Sequence, residues 1–204
     1  MLHHETVAPT TLRLLKSISA LPGLSGFSLA GGTALALQLG HRISVDLDFF
    51  GNRPFSTYEI LDLLNEQKPL SIVSQNKNIL ILNIQNVKVD FVNYRYPLIA
   101  EPMLTDSVRL LTLPDIAAMK LAAIAGRGRK RHFCDIYFLL QRFSLKQMME
   151  FYLQKYDDGS EMMVARSLTF FDDADTDEDP NLLNQKFDWQ KVQRTVLQEV
   201  KKIY

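Results

Sequence analysis

Leu12, Leu15 and Ile18 recur at helical spacing between Thr10 and Leu21, and Pro22-Gly23 stops the run, so the chain opens on an amphipathic helix. Phe27 to Ala30 is a short apolar strand that meets Gly31-Gly32, after which Thr33 to Leu39 continues as a helix up to Gly40. Val45-Asp46-Leu47-Asp48-Phe49 alternates with period two, which predicts a strand burying Val45, Leu47 and Phe49 and turning both aspartates to the other face. Ser56 with Glu59 forms a capping box ahead of a helix whose buried side is Ile60, Leu63 and Leu64. Three strands follow at about 70–74, 78–85 and 87–94, with Asn-rich connections suited to hairpins. Beyond Pro97 a short apolar run near Val108 to Leu111 precedes only helical patterns, at about 114–125, 131–141, 144–156, 160–171 and 187–202. Pro114 suits the first turn of the first of these. The pattern predicts an α+β protein: a mixed sheet with flanking helices over residues 1–107 and a helical lobe over 108–204. A ligand is expected in the cleft between the lobes.

Composition narrows the partners. The 204 residues are 47% hydrophobic, as in an ordinary globular protein, and Lys plus Arg balances Asp plus Glu at 23 each. No global field draws in nucleic acid or an anionic membrane, so such a partner would need a local patch. The single cysteine, Cys134, excludes an internal disulfide and a multi-cysteine zinc site. Met1 to Pro9 lacks a signal-peptide pattern, and no apolar run nears the roughly 18 residues of a membrane span. The expectation is a soluble, cytoplasmic protein with no membrane partner.

Asp46 and Asp48, two apart in a strand, leave one face together, and two parallel carboxylates need a cation or donors between them. Oxygen ligands of this kind suit Mg2+. The alternative is a pair of acids facing water on an exposed sheet. The preceding turn adds weight: Gly31 and Gly32 let backbone amides approach an anion, and the dipole of the following helix favours a triphosphate there. Thr33 could add a hydroxyl to a phosphate oxygen, or simply start the helix. In the strand Val87 to Phe91, Asp90 is a third carboxylate opposite its apolar neighbours, fit to join the metal site or to accept a proton, or else a solvent-facing hairpin acid.

Other charged segments are weaker signals. Gly126 to His132 packs four positive charges into seven residues and reads either as a flexible grip on triphosphate or RNA, or as a solvated loop. Asp172 to Asp179 holds six acids; Glu178 stands where an EF-hand needs glycine, so a solvated loop is expected rather than a calcium site. His3, His4, His41 and His132 are too scattered for a metal site. Lys120 lies on an Ala-rich helix, where a long cation could reach towards a triphosphate or remain solvated. Asp135, among Phe133, Ile136 and Phe138, needs a cationic partner such as Lys120 or a loop arginine, in a purely structural pair or a functional one.

The stretch from Leu29 to Phe50, with Gly31-Gly32-Thr33 and Asp46-Leu47-Asp48-Phe49-Phe50, resembles the signature of the AbiEii/AbiGii toxin family of nucleotidyltransferases. The resemblance continues in Leu113 to Lys120, Arg131 to Leu140 and Leu168 to Ala174, and so covers nearly the whole chain. It implies a polymerase-beta-like nucleotidyltransferase core with a helical lobe, acting as the toxin of a bacterial toxin–antitoxin or abortive-infection pair. The family's glycine turn falls on Gly31 and Gly32, its metal aspartates on Asp46 and Asp48, its later lysine on Lys120 and its last aspartate on Asp135. Gly32 departs from the serine common at that place in related enzymes, leaving Thr33 as the nearby hydroxyl.

The expected reaction is transfer of a nucleoside monophosphate from an NTP to an acceptor with loss of pyrophosphate, by a two-metal mechanism with Mg2+. Asp46, Asp48 and Asp90 would serve the metals; Gly31, Gly32, Thr33 and Lys120 would bind the nucleotide; Asp135 would orient the lysine or the cationic loop. The resemblance further implies the 3′ end of tRNA or a protein side chain as acceptor, and a cognate antitoxin as partner. Two other functions compete: a non-catalytic nucleotide-binding module that contacts a partner protein, and a kinase-like phosphotransferase releasing NDP.

Overall fold

The computed structural model describes residues 1–203, and its chain divides into two compact units. The first comprises Met1–Tyr96 and Glu101–Leu111; the second comprises Pro97–Ala100 and the chain from Thr112 on.

The first unit is built on a seven-stranded mixed sheet. Its strands are β1 (Ser28–Leu29), β2 (Leu47–Gly51), β3 (Leu70–Gln75), β4 (Ile79–Ile84), β5 (Val87–Asn93), β6 (Met103–Thr105) and β7 (Val108–Leu110), in the spatial order β3-β4-β5-β2-β1-β7-β6. β2 runs parallel to β5, and β1 parallel to β7; the other neighbours are antiparallel. The β4–β5 hairpin turns on Gln85 and Asn86, both at positive φ, and β6–β7 on Asp106 and Ser107, likewise positive. Two consecutive left-handed residues match the right-handed twist of a two-residue hairpin. One face of the sheet is sealed by Leu47, Phe49, Leu80, Leu82, Val89 and Phe91, with Phe49 stacked on its cross-strand neighbour Phe91 at 5.3 Å. The helices of this unit are α1 (Pro9–Ser19), α2 (Gly31–Leu39) and α3 (Thr57–Leu63), with Ser56 accepting from the Glu59 amide at the start of α3.

Two expectations shift here. The strand expected at Val45–Phe49 begins two residues later, with Val45 exposed and Asp46 ahead of the regular strand. β6 had no signature, because Met103-Leu104-Thr105 is too short to show alternation.

The second unit's helices are α4 (Leu113–Arg127), α5 (Lys130–Leu139), α6 (Leu145–Lys155), α7 (Glu161–Leu168), α8 (Asp172–Asp175) and α9 (Trp189–Lys201). The expected cationic loop over Gly126 to His132 is mostly helix, because α4 runs through Arg127 and α5 resumes at Lys130. The expected acidic loop begins as α8, and its far end closes on α5: Asp177 accepts from the Lys130 amide at 3.0 Å. Lys130 Nζ donates to the Asp177 carbonyl at 2.6 Å and to Asp179 at 3.0 Å. An acid at a helix N-terminus satisfies an amide that has no partner within the helix and complements the dipole. Lys130 of the basic segment is therefore held by the far end of the acidic one.

A deeper pair lies between α4 and α6. Lys155 meets Asp115 at 2.7 Å with both side chains fully buried, and Lys155 also donates to the Pro97 carbonyl. Asp115 accepts further from the amides of Ile99 and Ala100 and from the Thr112 hydroxyl. Such saturation with donors is what a buried carboxylate requires.

Candidate active site

β2 and β5 bring two aspartates together. Their parallel register sets Asp48 opposite Asp90, and each lies between residues of the sealed face, Leu47 and Phe49 on β2, Val89 and Phe91 on β5. Both carboxylates therefore leave the opposite face of the sheet. Like charges directly opposite one another are unfavourable, and a cation lies beside one of them: Lys88 Nζ is 2.5 Å from Asp90 Oδ2. Asp90 Oδ1 is buried with no hydrogen-bond partner. An unpaired buried carboxylate oxygen is costly, which makes it a ready ligand for an incoming cation or proton.

The start of α2 is shaped around these acids. Gly31 has φ +67, and a Cβ there would collide with Asp48 Oδ2. Only glycine meets both conditions, a left-handed backbone and a carboxylate lying on its α-carbon. A Cβ at Gly32 would collide with Nη2 of Arg42, a guanidinium only 6% exposed whose Nη1 donates to the Ile43 carbonyl at 3.0 Å. Ala30, the residue before α2, supplies no side-chain cap, and the first amides of a helix have no acceptor within it. Thr33 behaves otherwise than expected. It is buried, and its hydroxyl donates to the Asp46 carbonyl and lies 2.8 Å from Ser44 Oγ, so it ties α2 to the approach of β2. Asp46 is half-buried and is held there through its backbone rather than by strand alternation.

The described residues contain no group of three or more His, Cys, Asp and Glu side chains arranged to hold a metal ion, so Asp46, Asp48 and Asp90 do not form a ready three-ligand cluster. The donors nevertheless suit a hard divalent cation: carboxylate oxygens on one sheet face, one of them buried and unpartnered.

In the second unit, Lys120 on α4 and Asp135 on α5 form an ion pair of 2.6 Å with both side chains buried. This is the partner that the apolar surroundings of Asp135 demanded. His132 lies beside the pair. Burial, chiefly, and then the Lys120 charge lower its pKa from 6.5 to about 4; Arg131 acts the same way, while Asp135 and a hydrogen bond to the Arg127 backbone oppose the shift. At neutral pH the ring is uncharged.

The comparisons with known proteins fit this arrangement. The family described as nucleotidyl transferase AbiEii toxin, type IV toxin–antitoxin system, matches the chain over residues 13–202. The chain belongs to the AbiEii toxin family. An uncharacterized protein of Aquifex aeolicus (strain VF5) is 34% identical over 166 residues, spanning 78% of this chain and 81% of that protein. Among solved structures, a putative nucleotidyltransferase from H. pylori superposes with a TM-score of 0.61 at 17% identity, covering 96% of this chain and 95% of the other. MenT4, a nucleotidyltransferase toxin from Mycobacterium tuberculosis H37Rv, gives 0.62 at 14% identity over 94% and 82%. At these identities the structures attest the nucleotidyltransferase fold. The AbiEii match begins within α1 and ends just past α9, so it includes the glycine turn, Asp46, Asp48, Asp90, Lys120 and Asp135.

Arg42, Lys88 and His132 carry roles that the sequence did not disclose. Arg42 had no local signal, since it stands in the mixed connection Gly40-His41-Arg42-Ile43-Ser44. The Lys88 contact follows from period two once Asp90 is placed in a strand, since residues 88 and 90 share a face.

Proposed function

We propose that this AbiEii-family chain transfers a nucleoside monophosphate from an NTP to a hydroxyl of an acceptor and releases pyrophosphate. The observation that carries the reading is the seat of Asp48: its carboxylate lies against the α-carbon of Gly31, at the start of α2, where Ala30 supplies no side-chain cap, while its cross-strand partner is Asp90. Phosphate oxygens suit the amides of Gly31 and Gly32, and the helix dipole favours the same charge. Asp48 and Asp46 would hold a divalent cation, with Asp90 available beside them. That cation, when bound, would draw charge from the transferring phosphoryl group and make the acceptor hydroxyl more acidic. Asp90 takes the hydroxyl proton on the oxygen that has no other partner. Arg42 and Thr33 fix the glycine turn and the approach to β2.

The family membership supports a role as the toxin of a two-component system, with a cognate antitoxin protein as partner and the 3′ end of tRNA as a natural acceptor to test first. A cytoplasmic setting fits this role, and no helix among the described residues is long and apolar enough to cross a membrane.

The test is to incubate the purified chain with each alpha-labelled NTP, magnesium and total RNA, beside Asp48→Asn. We expect label on RNA and pyrophosphate release, both lost in the variant. Release of NDP would replace the reading with a kinase activity, and binding without turnover would reduce it to a nucleotide-binding module.

A further inference from the structure

The sheet face that carries Asp48 and Asp90 continues into a row of aromatic rings that are half-buried to exposed. Phe50 is two residues past Asp48 on β2, and Tyr94 is four past Asp90, just beyond β5. The Tyr94 amide donates to the Gly51 carbonyl at 2.6 Å, which keeps the chain after β5 alongside the end of β2. Phe50 and Tyr94 have ring centroids 4.9 Å apart, and Tyr94 and Tyr96 5.0 Å, with planes tilted by 48° and 57°. The row opens towards solvent, from half-buried Phe50 and Tyr94 to Tyr96 at 42% exposure. Two exposed cations stand close to it along the chain, Arg53 two residues after β2 and Arg95 between the tyrosines.

Aromatic rings interleaved with cations match the chemistry of a single-stranded nucleic acid, in which every base has a π-face and every nucleotide a phosphate. The spacing agrees. At roughly 3.3 Å per strand residue, Phe50 and Tyr94 stand about 7 and 13 Å along the strands from the carboxylates, one to two nucleotides from a hydroxyl at Asp90. The chain's overall charge balance gives no general attraction for nucleic acid, so a local surface of this kind is what an RNA acceptor would need.

We infer that Phe50, Tyr94 and Tyr96, with Arg53 and Arg95 near them in the chain, form a stacking platform for the terminal bases of a single-stranded nucleic-acid acceptor whose hydroxyl is presented at Asp90. The inference rests on the transferase reading for what happens to that hydroxyl, but binding to the platform is measurable without it.

The experiment is fluorescence anisotropy with an end-labelled single-stranded RNA 12-mer of mixed sequence, without NTP or metal, on the full chain. Tyr96→Leu should weaken binding by about tenfold or more, whereas Tyr96→Phe, which keeps the ring, should bind as the parent does. Arg53→Gln with Arg95→Gln should flatten the salt dependence by a slope of about 1.4. Melting curves of each variant check folding. Parent-like binding by Tyr96→Leu, no binding of the oligonucleotide by the parent, or transfer to protein acceptors only would each overturn the platform. Pyrophosphate release measured on the same preparations separates the two ideas: its absence with every NTP and acceptor ends the transferase reading, while ring-dependent RNA binding still upholds the platform.

Discussion

Asp48 and Asp90 face each other across two parallel strands, and the Lys88 ammonium rests on Asp90. Opposed like charges favour neither strand, so this pairing is carried at some cost to folding. Asp48→Asn should lower nucleotidyl transfer on the order of a hundredfold or more, while the melting temperature holds or rises. Single-turnover assays and calorimetry on one preparation check both halves. Transfer within threefold of the parent would remove Asp48 from the chemistry.

Gly31→Ala tests the seat of that carboxylate. The left-handed backbone alone costs an L-residue about 1–2 kcal/mol, and the new methyl group must also push Asp48 aside. Activity should fall as far as in Asp48→Asn, accompanied this time by lost stability in urea. Gly26→Ala is the control, since nothing lies within 4 Å of the place its Cβ would take. If Gly31→Ala keeps full activity, the close approach is incidental.

The elements legible in the sequence were those whose own side chains declare a period. Alternation in Val87 to Phe91 fixed β5 and the face of Asp90, and Ser56 and Pro114 marked the starts of α3 and α4. Segments governed by partners far along the chain were misread. Gly126 to His132 read as a flexible loop, either gripping a phosphate or solvated, because the acids that close on Lys130, Asp177 and Asp179, lie some fifty residues away. Thr33 looked available to a phosphate because nothing local reveals that its hydroxyl turns to Asp46 and Ser44. Asp115 and Lys155 carried no local sign at all; a buried ion pair is defined by the fold that brings its halves together.

Breaking that pair gives a stability prediction. Lys155→Met leaves the Asp115 carboxylate buried without its cation, although the two amides and the Thr112 hydroxyl remain. Loss of one partner of a buried pair costs about 3–5 kcal/mol, whereas replacing both by apolar residues costs far less. Urea denaturation of Lys155→Met beside the double variant with Asp115→Leu should show the single substitution as the more damaging. A single variant within about 1 kcal/mol of the parent would mean that water reaches the pair.

His132 makes the stability of the protein depend on pH. Its pKa falls from 6.5 in an open chain to about 4 in the fold, by burial first and then by the Lys120 charge, with Arg131 adding to the shift and Asp135 and the Arg127 backbone opposing it. Between these two values the unfolded chain binds the proton that the folded one refuses, so stability rises with pH across this window. The contribution is complete above about 6.5 and is lost progressively as the pH falls towards about 4. A shift of this size corresponds to at most about 3 kcal/mol. His132→Gln keeps a polar side chain and cannot titrate, so the difference in unfolding free energy between parent and variant should change steadily from pH 7 to pH 4.5, with the parent losing more. Comparing the two cancels the carboxylates that titrate at the acid end of the same range. A difference independent of pH would show that the imidazole is open to solvent and that Lys120 does not act on it.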